Sequence, residues 1–506
     1  MVSNWGAYCV SIIVGFMLAP FVVRRLGDEG YGYWALILTA TSYFLRLDLG
    51  IQSAVGQFIS RHLADQNSDE LNDKTNSALT VLLAMAAGIV AVSFAASLFF
   101  PVYFHVTPGS AASTTAAFAL MGAAAAAKLP FSVFQAMLVG KERFDILASV
   151  TITMRLINAM LAYSVLSAGK GLLGLAIVMA GTQFVEGLVL VVCARHAVPQ
   201  ISIRLFHFRP QAFKELFSFG SFNFLINLAA QLGNGFWAVI LAREWGPDRV
   251  TRFSIGYEVI PYMVGVANAA TLPMLHGLIP MDVREDEKGI RTMFLYGTRY
   301  FTALICAMGV NLLLLGERFI GLWMGEKYLV HLTYGSSGTV LVLLALANMA
   351  SHSSAVAQQI LFARRKNRLF ALMTSMQTVC IITLALILVP RYGIFGMAVA
   401  MLIPLSLIEG GVIPFLAAKH GHASVGEYWV KGILPNLLVT GTVYAIGRWA
   451  QQWVPGEGWT GLILEAIGIT FLQAAGTLAF IILKDDRERM LITLRERFAL
   501  FRRGGA

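Results

Sequence analysis

The feature that most constrains this chain is a series of long apolar stretches that recurs along all 506 residues. A hydrocarbon core about 30 Å thick is crossed by a helix of roughly 20 mostly apolar residues. Lipid offers no hydrogen-bond partners, so a spanning backbone must pair its own polar groups, as a helix does. The sequence therefore predicts an all-α polytopic membrane protein.

Measured against that length, the chain is predicted to contain 14 spans. They lie near 4–23, 33–60, 78–102, 113–140, 147–168, 172–194, 217–242, 253–280, 292–316, 337–363, 369–389, 393–418, 432–450 and 459–483. The segments between them are short, so no large soluble domain is expected.

Composition excludes several classes of protein. Of the residues, 57% are apolar and only 13% are charged, whereas an ordinary soluble chain carries roughly 25% charge. A cytosolic enzyme, a nucleic-acid-binding domain and a disordered scaffold are excluded. The four cysteines are far apart within apolar runs, which is typical of buried free thiols. No metal centre, cofactor or nucleic-acid partner is therefore expected.

The basic residues predict the orientation. If the N-terminus is cytoplasmic, the loops and tail on that side hold 24 Lys and Arg, and the opposite side holds about 10. Membrane proteins carry such an excess on the cytoplasmic side, so both termini are expected there. The basic residues of 484–506 alternate with apolar ones, which predicts an amphipathic helix on the inner leaflet, in contact with anionic lipids.

Short matches between distant segments indicate an internal repeat. Asn4–Gly27 resembles Asn223–Gly246, and an octet starting at Gly171 resembles one starting at Gly393, at a nearly equal offset along the chain. Such a repeat predicts two six-helix lobes with a substrate cavity between them. The predicted divisions are an N-lobe (1–210), a C-lobe (211–425), two appended C-terminal helices (426–483) and the cytoplasmic tail (484–506).

Amide side chains follow one face of the seventh predicted span. They are Asn223, Asn227, Gln231 and Asn234, spaced at helical intervals. That spacing places all four on the same side of a helix. They are candidates for lining a cavity, and the alternative is hydrogen bonding between helices.

Charged side chains inside predicted spans each cost about 2.5–3.5 kcal/mol to insert, so they are expected to face a cavity or a partner. The embedded cations are Arg46, Lys128, Arg155 and Arg299. They are candidates for binding an anionic substrate, since Arg holds phosphate oxygens bidentately. The alternative is local ion pairing with acids such as Glu409. Asp48, Glu186 and Glu258 are candidate proton or sodium sites.

The stretch from Pro20 to Ser60 carries a recognisable pattern. A Pro, a base, Leu-Gly, Tyr-Gly-x-Trp-Ala-Leu and Asp-Leu-Gly follow one another, and the elements are Pro20, Arg24, Leu26-Gly27, Tyr31-Gly32, Trp34-Ala35-Leu36 and Asp48-Leu49-Gly50. This pattern resembles the opening of the Wzx-type oligosaccharide flippases, which are polysaccharide biosynthesis proteins. Their superfamily also holds multidrug antiporters, oligosaccharidyl-lipid flippases and the lipid II flippase.

The resemblance implies a flippase in a bacterial inner membrane that moves an undecaprenyl-pyrophosphate-linked oligosaccharide to the outer leaflet by ion-coupled alternating access. It also implies a cationic cavity, a proton or sodium gradient, and a polysaccharide polymerase and export machinery as partners. A cation-coupled multidrug antiporter is the alternative within transporters. An enzyme, such as a membrane glycan polymerase or ligase, is disfavoured because no catalytic constellation stands out.

Overall fold

The computed structural model describes residues 2–45, 55–56, 59, 68–199, 202–204, 208–211, 231, 235–330, 335–453 and 458–482. Long helices dominate these ranges. They are α1 (Val2–Leu45), α2 (Ser68–Tyr103), α3 (Pro108–Gly140), α4 (Phe144–Ser167), α5 (Gly171–Ala197), α6 (Pro247–Val283), α7 (Glu287–Met324), α8 (Ser337–Ala363), α9 (Asn367–His420), α10 (Val425–Ala450) and α11 (Gly458–Ile481). Residues 235–245 are also helical. The protein is an all-α polytopic membrane protein, as predicted.

Eleven helices within the described residues are long and apolar enough to cross a bilayer. Large apolar side chains point outward from them: Met17 is 72% exposed, Val102 is 76% exposed and Phe480 is 74% exposed. A water-soluble surface avoids extended patches of this kind. In a bilayer these side chains contact lipid tails, so their exposure carries no penalty in free energy.

Two of the helices extend over more than one predicted span. The α1 helix has 44 residues, which corresponds to about 66 Å at the helical rise of 1.5 Å per residue. It is interrupted at Gly27 (φ 73°), and α9 is interrupted at Gly393 (φ 50°). Gly27 lies between two predicted spans, and Gly393 begins one. The described part of α1 covers the span 4–23 and the beginning of 33–60, and α9 covers 369–389 and 393–418. The count of 14 stays a prediction, because most of 217–242 lies outside the described residues.

The chain forms two compact units, residues 1–252 and 253–506. The core of the first packs α2, α3 and α5 around side chains such as Leu82, Phe134 and Leu190. The second contains several apolar clusters, one of which joins α7, α10 and α11 through Val310, Val443 and Ile469. The lobe boundaries inferred from the repeat stay a prediction.

The backbone repeats its irregularities at the spacing of the sequence repeat. Gly27 and Gly246, which close the two matching segments, both have positive φ (73° and 87°). Gly171 and Gly393, which open the two matching octets, do as well (59° and 50°). Positive φ is costly for residues other than glycine, so these positions mark matching turns. The two halves of the chain thus share local geometry as well as sequence.

Candidate functional site

A polar cavity of about 170 Å³ lies inside the first unit, between α3, α4 and α5. Its lining residues are Lys128, Thr151, Met154, Arg155, Asn158, Met179, Thr182, Gln183 and Glu186. Three candidates that were identified separately from the sequence, on three different helices, therefore meet in one place. These are the two cations Lys128 and Arg155 and the acid Glu186.

Close helix packing brings these three residues together. Next to Glu186, Gly187 faces Phe131 so tightly that an added Cβ would lie 2.0 Å from the Phe131 ring. Only glycine allows α5 to approach α3 at this depth. Between α4 and α5, Asn158 Nδ2 donates a 2.8 Å hydrogen bond to Thr182 Oγ1.

The charges in the cavity do not cancel. The cavity lining contains two basic side chains, Lys128 and Arg155, for the single acid Glu186. Among the described residues, neither cation forms a close ion pair with Glu186. Lys128 and Glu186 are half-buried and Arg155 is exposed. This arrangement can bind an anion such as a phosphate group, because charge-assisted hydrogen bonds to oxygen remain available.

Arg299 lies elsewhere, in the second unit. It lines a mostly apolar groove of about 780 Å³ formed by α10 and α11. Its Nη2 donates a 2.7 Å hydrogen bond to the carbonyl of Phe480, and Asn436 Nδ2 donates to the Arg299 carbonyl over 2.9 Å. Its Nε is buried and has no hydrogen-bond partner within the described chain. Arg299 thus holds the end of α11.

Of the four amides predicted along the seventh span, the described residues include Gln231. Its Nε2 donates a 2.7 Å hydrogen bond to Ser42 Oγ, which links it to α1. The candidates outside the described residues are Asn223, Asn227, Asn234, Arg46 and Asp48.

Glu258 is half-buried at an irregular turn within α6, and its N–H donates to the Ser254 carbonyl over 2.8 Å. Its carboxyl group forms no close ion pair with any residue that the structure describes. Its role as a coupling site stays a prediction.

Sequence reasoning did not single out one further cluster. Ser351 Oγ donates to Glu409 Oε2, and the Gln377 side chain also bonds to this carboxyl group. The signal was present in the sequence, because Glu186 and Glu409 occupy equivalent places in the repeat. In the ranges described, no group of three or more His, Cys, Asp or Glu side chains is arranged to hold a metal ion.

The helical fold and the charged cavity between helices define a multi-pass membrane protein of the transporter type. The chain belongs to the polysaccharide biosynthesis protein family, whose model matches residues 21–333. It is 23% identical over 408 residues to the "Putative O-antigen transporter" of Shigella flexneri, covering 79% of this chain and 92% of that one.

Solved structures share the fold at low sequence identity. The lipid II flippase MurJ in an inward closed conformation aligns with a TM-score of 0.73 at 11% identity, covering 94% of this chain and 98% of that one. An inward-facing multidrug resistance MATE transporter of the MOP superfamily aligns with a TM-score of 0.61 at 16% identity, covering 81% and 96%. These relatives and fold neighbours are transporters or flippases, and not enzymes.

Proposed function

We propose that the protein is a flippase for an undecaprenyl-pyrophosphate-linked oligosaccharide, acting in the synthesis of a surface polysaccharide such as O-antigen, capsule or exopolysaccharide. The observation that carries the proposal is the cavity in which Lys128 and Arg155 outnumber Glu186. Membership of the polysaccharide biosynthesis family and the name of the Shigella flexneri relative support the substrate class.

The chemistry explains why such a cavity is needed. An isolated anion loses its hydration in hydrocarbon at a cost of tens of kcal/mol in the limiting case. A polar cavity with excess positive charge replaces that hydration with charge-assisted hydrogen bonds. Arg155 is suited to this task because its planar guanidinium can hold two phosphate oxygens at once.

The second unit offers a place for the lipid portion. The groove of about 780 Å³ has a mostly apolar lining, to which Arg299 contributes. An isoprenoid chain fits an apolar lining, and the guanidinium of Arg299 adds a positive charge beside it. Arg299 is therefore proposed to contact substrate as well as to hold α11.

The remaining site residues complete the proposal. Arg46 and the amides Asn223, Asn227, Gln231 and Asn234 line the substrate path, and the two lobes alternate their access to either side. Glu186 balances part of the charge beside the cations, while Asp48 and Glu258 are candidate sites for a coupling proton or sodium ion. The protein is expected in the bacterial inner membrane with both termini cytoplasmic, next to a polymerase and export machinery.

A cation-coupled multidrug antiporter is the alternative. A MATE transporter shares the fold, but the flippase MurJ aligns with the higher TM-score. Cationic drugs require a cavity dominated by carboxylates. The described cavity has the opposite balance, two cations for one carboxylate. The flippase is therefore the better interpretation of the site.

The decisive experiment is mass spectrometry of lipids extracted from the host after deletion of the gene. We expect accumulation of an undecaprenyl-pyrophosphate glycan, loss of surface polysaccharide, and reversal of both by the intact gene. An unchanged lipid pool with new sensitivity to cationic drugs would reject the flippase in favour of the antiporter.

Site variants connect this result to the cavity. The double variant Lys128→Ala with Arg155→Ala should fail to restore export although it reaches the membrane at normal levels. Lys141→Ala is the matched control, because it removes an exposed positive charge from the turn between α3 and α4. Full export by the double variant would eliminate the cavity as the anion site.

A further inference from the structure

Glu409 lies in a π-helical stretch, Leu405–Val412, within the apolar helix α9. Such stretches in otherwise regular helices often mark functional positions. Its carboxyl group accepts a hydrogen bond from Ser351 Oγ and contacts the Gln377 amide. Ser351 is 1% exposed and Gln377 is 7% exposed, so the carboxyl group is held by two deeply buried neutral partners.

The three members of this cluster lie at positions equivalent to the three members of the first cavity. The separation within each pair agrees, within one position, with the offset between the octets that start at Gly171 and Gly393. The pairs are Lys128 and Ser351, Arg155 and Gln377, and Glu186 and Glu409. The backbone follows the same offset, since Glu142 (φ 59°) and Arg365 (φ 56°) share an uncommon positive φ at the turn after α3 and the turn after α8.

The two copies differ in charge. In the first copy, two cations accompany the acid, whereas in the second a hydroxyl and an amide occupy their places. The α8 helix and the earlier part of α9 pack against the π-helical stretch. Along these two helices, the titratable residues closest in sequence to the cluster are His352, which follows Ser351, and Cys380, which lies three positions after Gln377. Within the described ranges, Glu409 forms no close ion pair.

A carboxylate without a counter-charge is costly away from water, whereas a neutral carboxylic acid needs only hydrogen bonds. The Gln377 amide can serve both forms, because its NH₂ donates to a carboxylate and its oxygen accepts from an O–H group. The buried Oε1 of Gln377 has no hydrogen-bond partner among the described residues. A proton on Glu409 would provide one after rotation of the amide.

We propose that Glu409, Ser351 and Gln377 form a proton-binding site through which the second unit couples transport to a proton gradient. The repeat thus supplies an anion site in one half and a proton site in the other. This coupling role rests on the proposed transport function.

Proton binding can be tested without any substrate. Infrared difference spectra of the purified full-length protein between acidic and alkaline pH report the C=O stretch of carboxyl groups that titrate. We expect one such band to be lost in Glu409→Gln and kept, with a shift, in Glu409→Asp and Ser351→Ala. Glu186→Gln is the matched control at the repeat-related position and should retain the band. An unchanged spectrum of Glu409→Gln would overturn the proposal.

Transport supplies the second readout. In cells, Glu409→Gln should abolish glycan export at normal membrane levels, and Glu409→Asp should restore part of it. Wild-type export that persists undiminished after a protonophore collapses the proton gradient would refute proton coupling. If deletion of the gene leaves the lipid-linked glycan pool unchanged while the Glu409 band is still lost in Glu409→Gln, the proposed substrate fails and the proton site stands.

Discussion

Asn158 and Thr182 are joined by a 2.8 Å hydrogen bond that fixes the register of α4 against α5. Asn158 lies one helical turn after Arg155, and Thr182 lies one turn before Glu186. Side chains one turn apart share a face of a helix. This bond therefore sets the separation between a cation and the acid of the same cavity.

The first prediction follows from that bond. Asn158→Leu or Thr182→Val should lower stability by only about 0.6 kcal/mol, since hydrogen bonds between membrane helices average near that value. Export should fall by much more than the stability change accounts for, because without the bond α4 shifts against α5 and carries Arg155 away from its position in the cavity. Thermal unfolding in detergent and glycan export in cells measure the two effects. Small losses of equal size in stability and in export would show that the bond only holds the two helices together.

A second prediction separates the cations from the acid. Lys128→Gln should reduce export roughly ten-fold or more, because a charge-assisted hydrogen bond contributes about 1.5–3 kcal/mol. Lys128→Arg should retain much of the export, since the charge and the donors remain. Glu186→Gln should retain it as well, because this change makes the cavity more positive. A larger loss in Glu186→Gln than in Lys128→Gln would reverse our assignment of the anion site.

Close packing at Gly187 gives a third prediction. Gly187→Ala should destabilise the protein by about 1–3 kcal/mol, because the new Cβ overlaps the Phe131 ring and overpacking has costs of this size. Combining it with Phe131→Ala should recover part of the loss. Gly181→Ala, on the same helix, is the control, since nothing lies within 4 Å of the added Cβ. Thermal unfolding of the wild type and these variants measures each step, and equal effects of the two glycine changes would contradict the packing argument.

The sequence predicted the helices more fully than the site. Runs of apolar residues give the spans directly, and the ends of α3, α4, α5 and α8 fall close to the predicted ones. Gly27 and Gly393 show the limit of that approach, because their helices continue on both sides of a break that the sequence presents as a loop.

The depth of a charge can also be inferred from the sequence, but its neighbours cannot. Lys128, Arg155 and Glu186 were each recognisable as embedded, since each interrupts an apolar run. Their meeting depends on how three helices rotate and slide against one another. That register is set by contacts between distant residues, such as Gly187 with Phe131, and a single helix pattern does not encode it.

Arg299 shows the same limit. Its position inside a predicted span suggested that it faces a cavity. The structure places it at a groove formed by α10 and α11, where it is bonded to the Phe480 carbonyl. A bond to a backbone carbonyl leaves no trace in the sequence pattern. The amide face of the seventh span remains a prediction, apart from the contact of Gln231 with Ser42.

The last prediction concerns how α11 is held against α7. Arg318 Nη1 lies 2.6 Å from Glu465 Oε1, and the two side chains are only 30% and 17% exposed. Removing one partner of a partly buried pair leaves the other charge unbalanced, at a cost between that of surface and buried pairs, about 1–3 kcal/mol. Arg318→Glu should therefore lower the midpoint of thermal unfolding, and the exchanged pair Arg318→Glu with Glu465→Arg should restore most of it.

The same variants also test the groove. Since the groove beside Arg299 is formed by α10 and α11, the single variant should also lose export and the exchanged pair should regain it. Recovery of stability without recovery of export would show that transport does not depend on the groove. Failure to recover either quantity would show that the salt bridge depends on more than its charges.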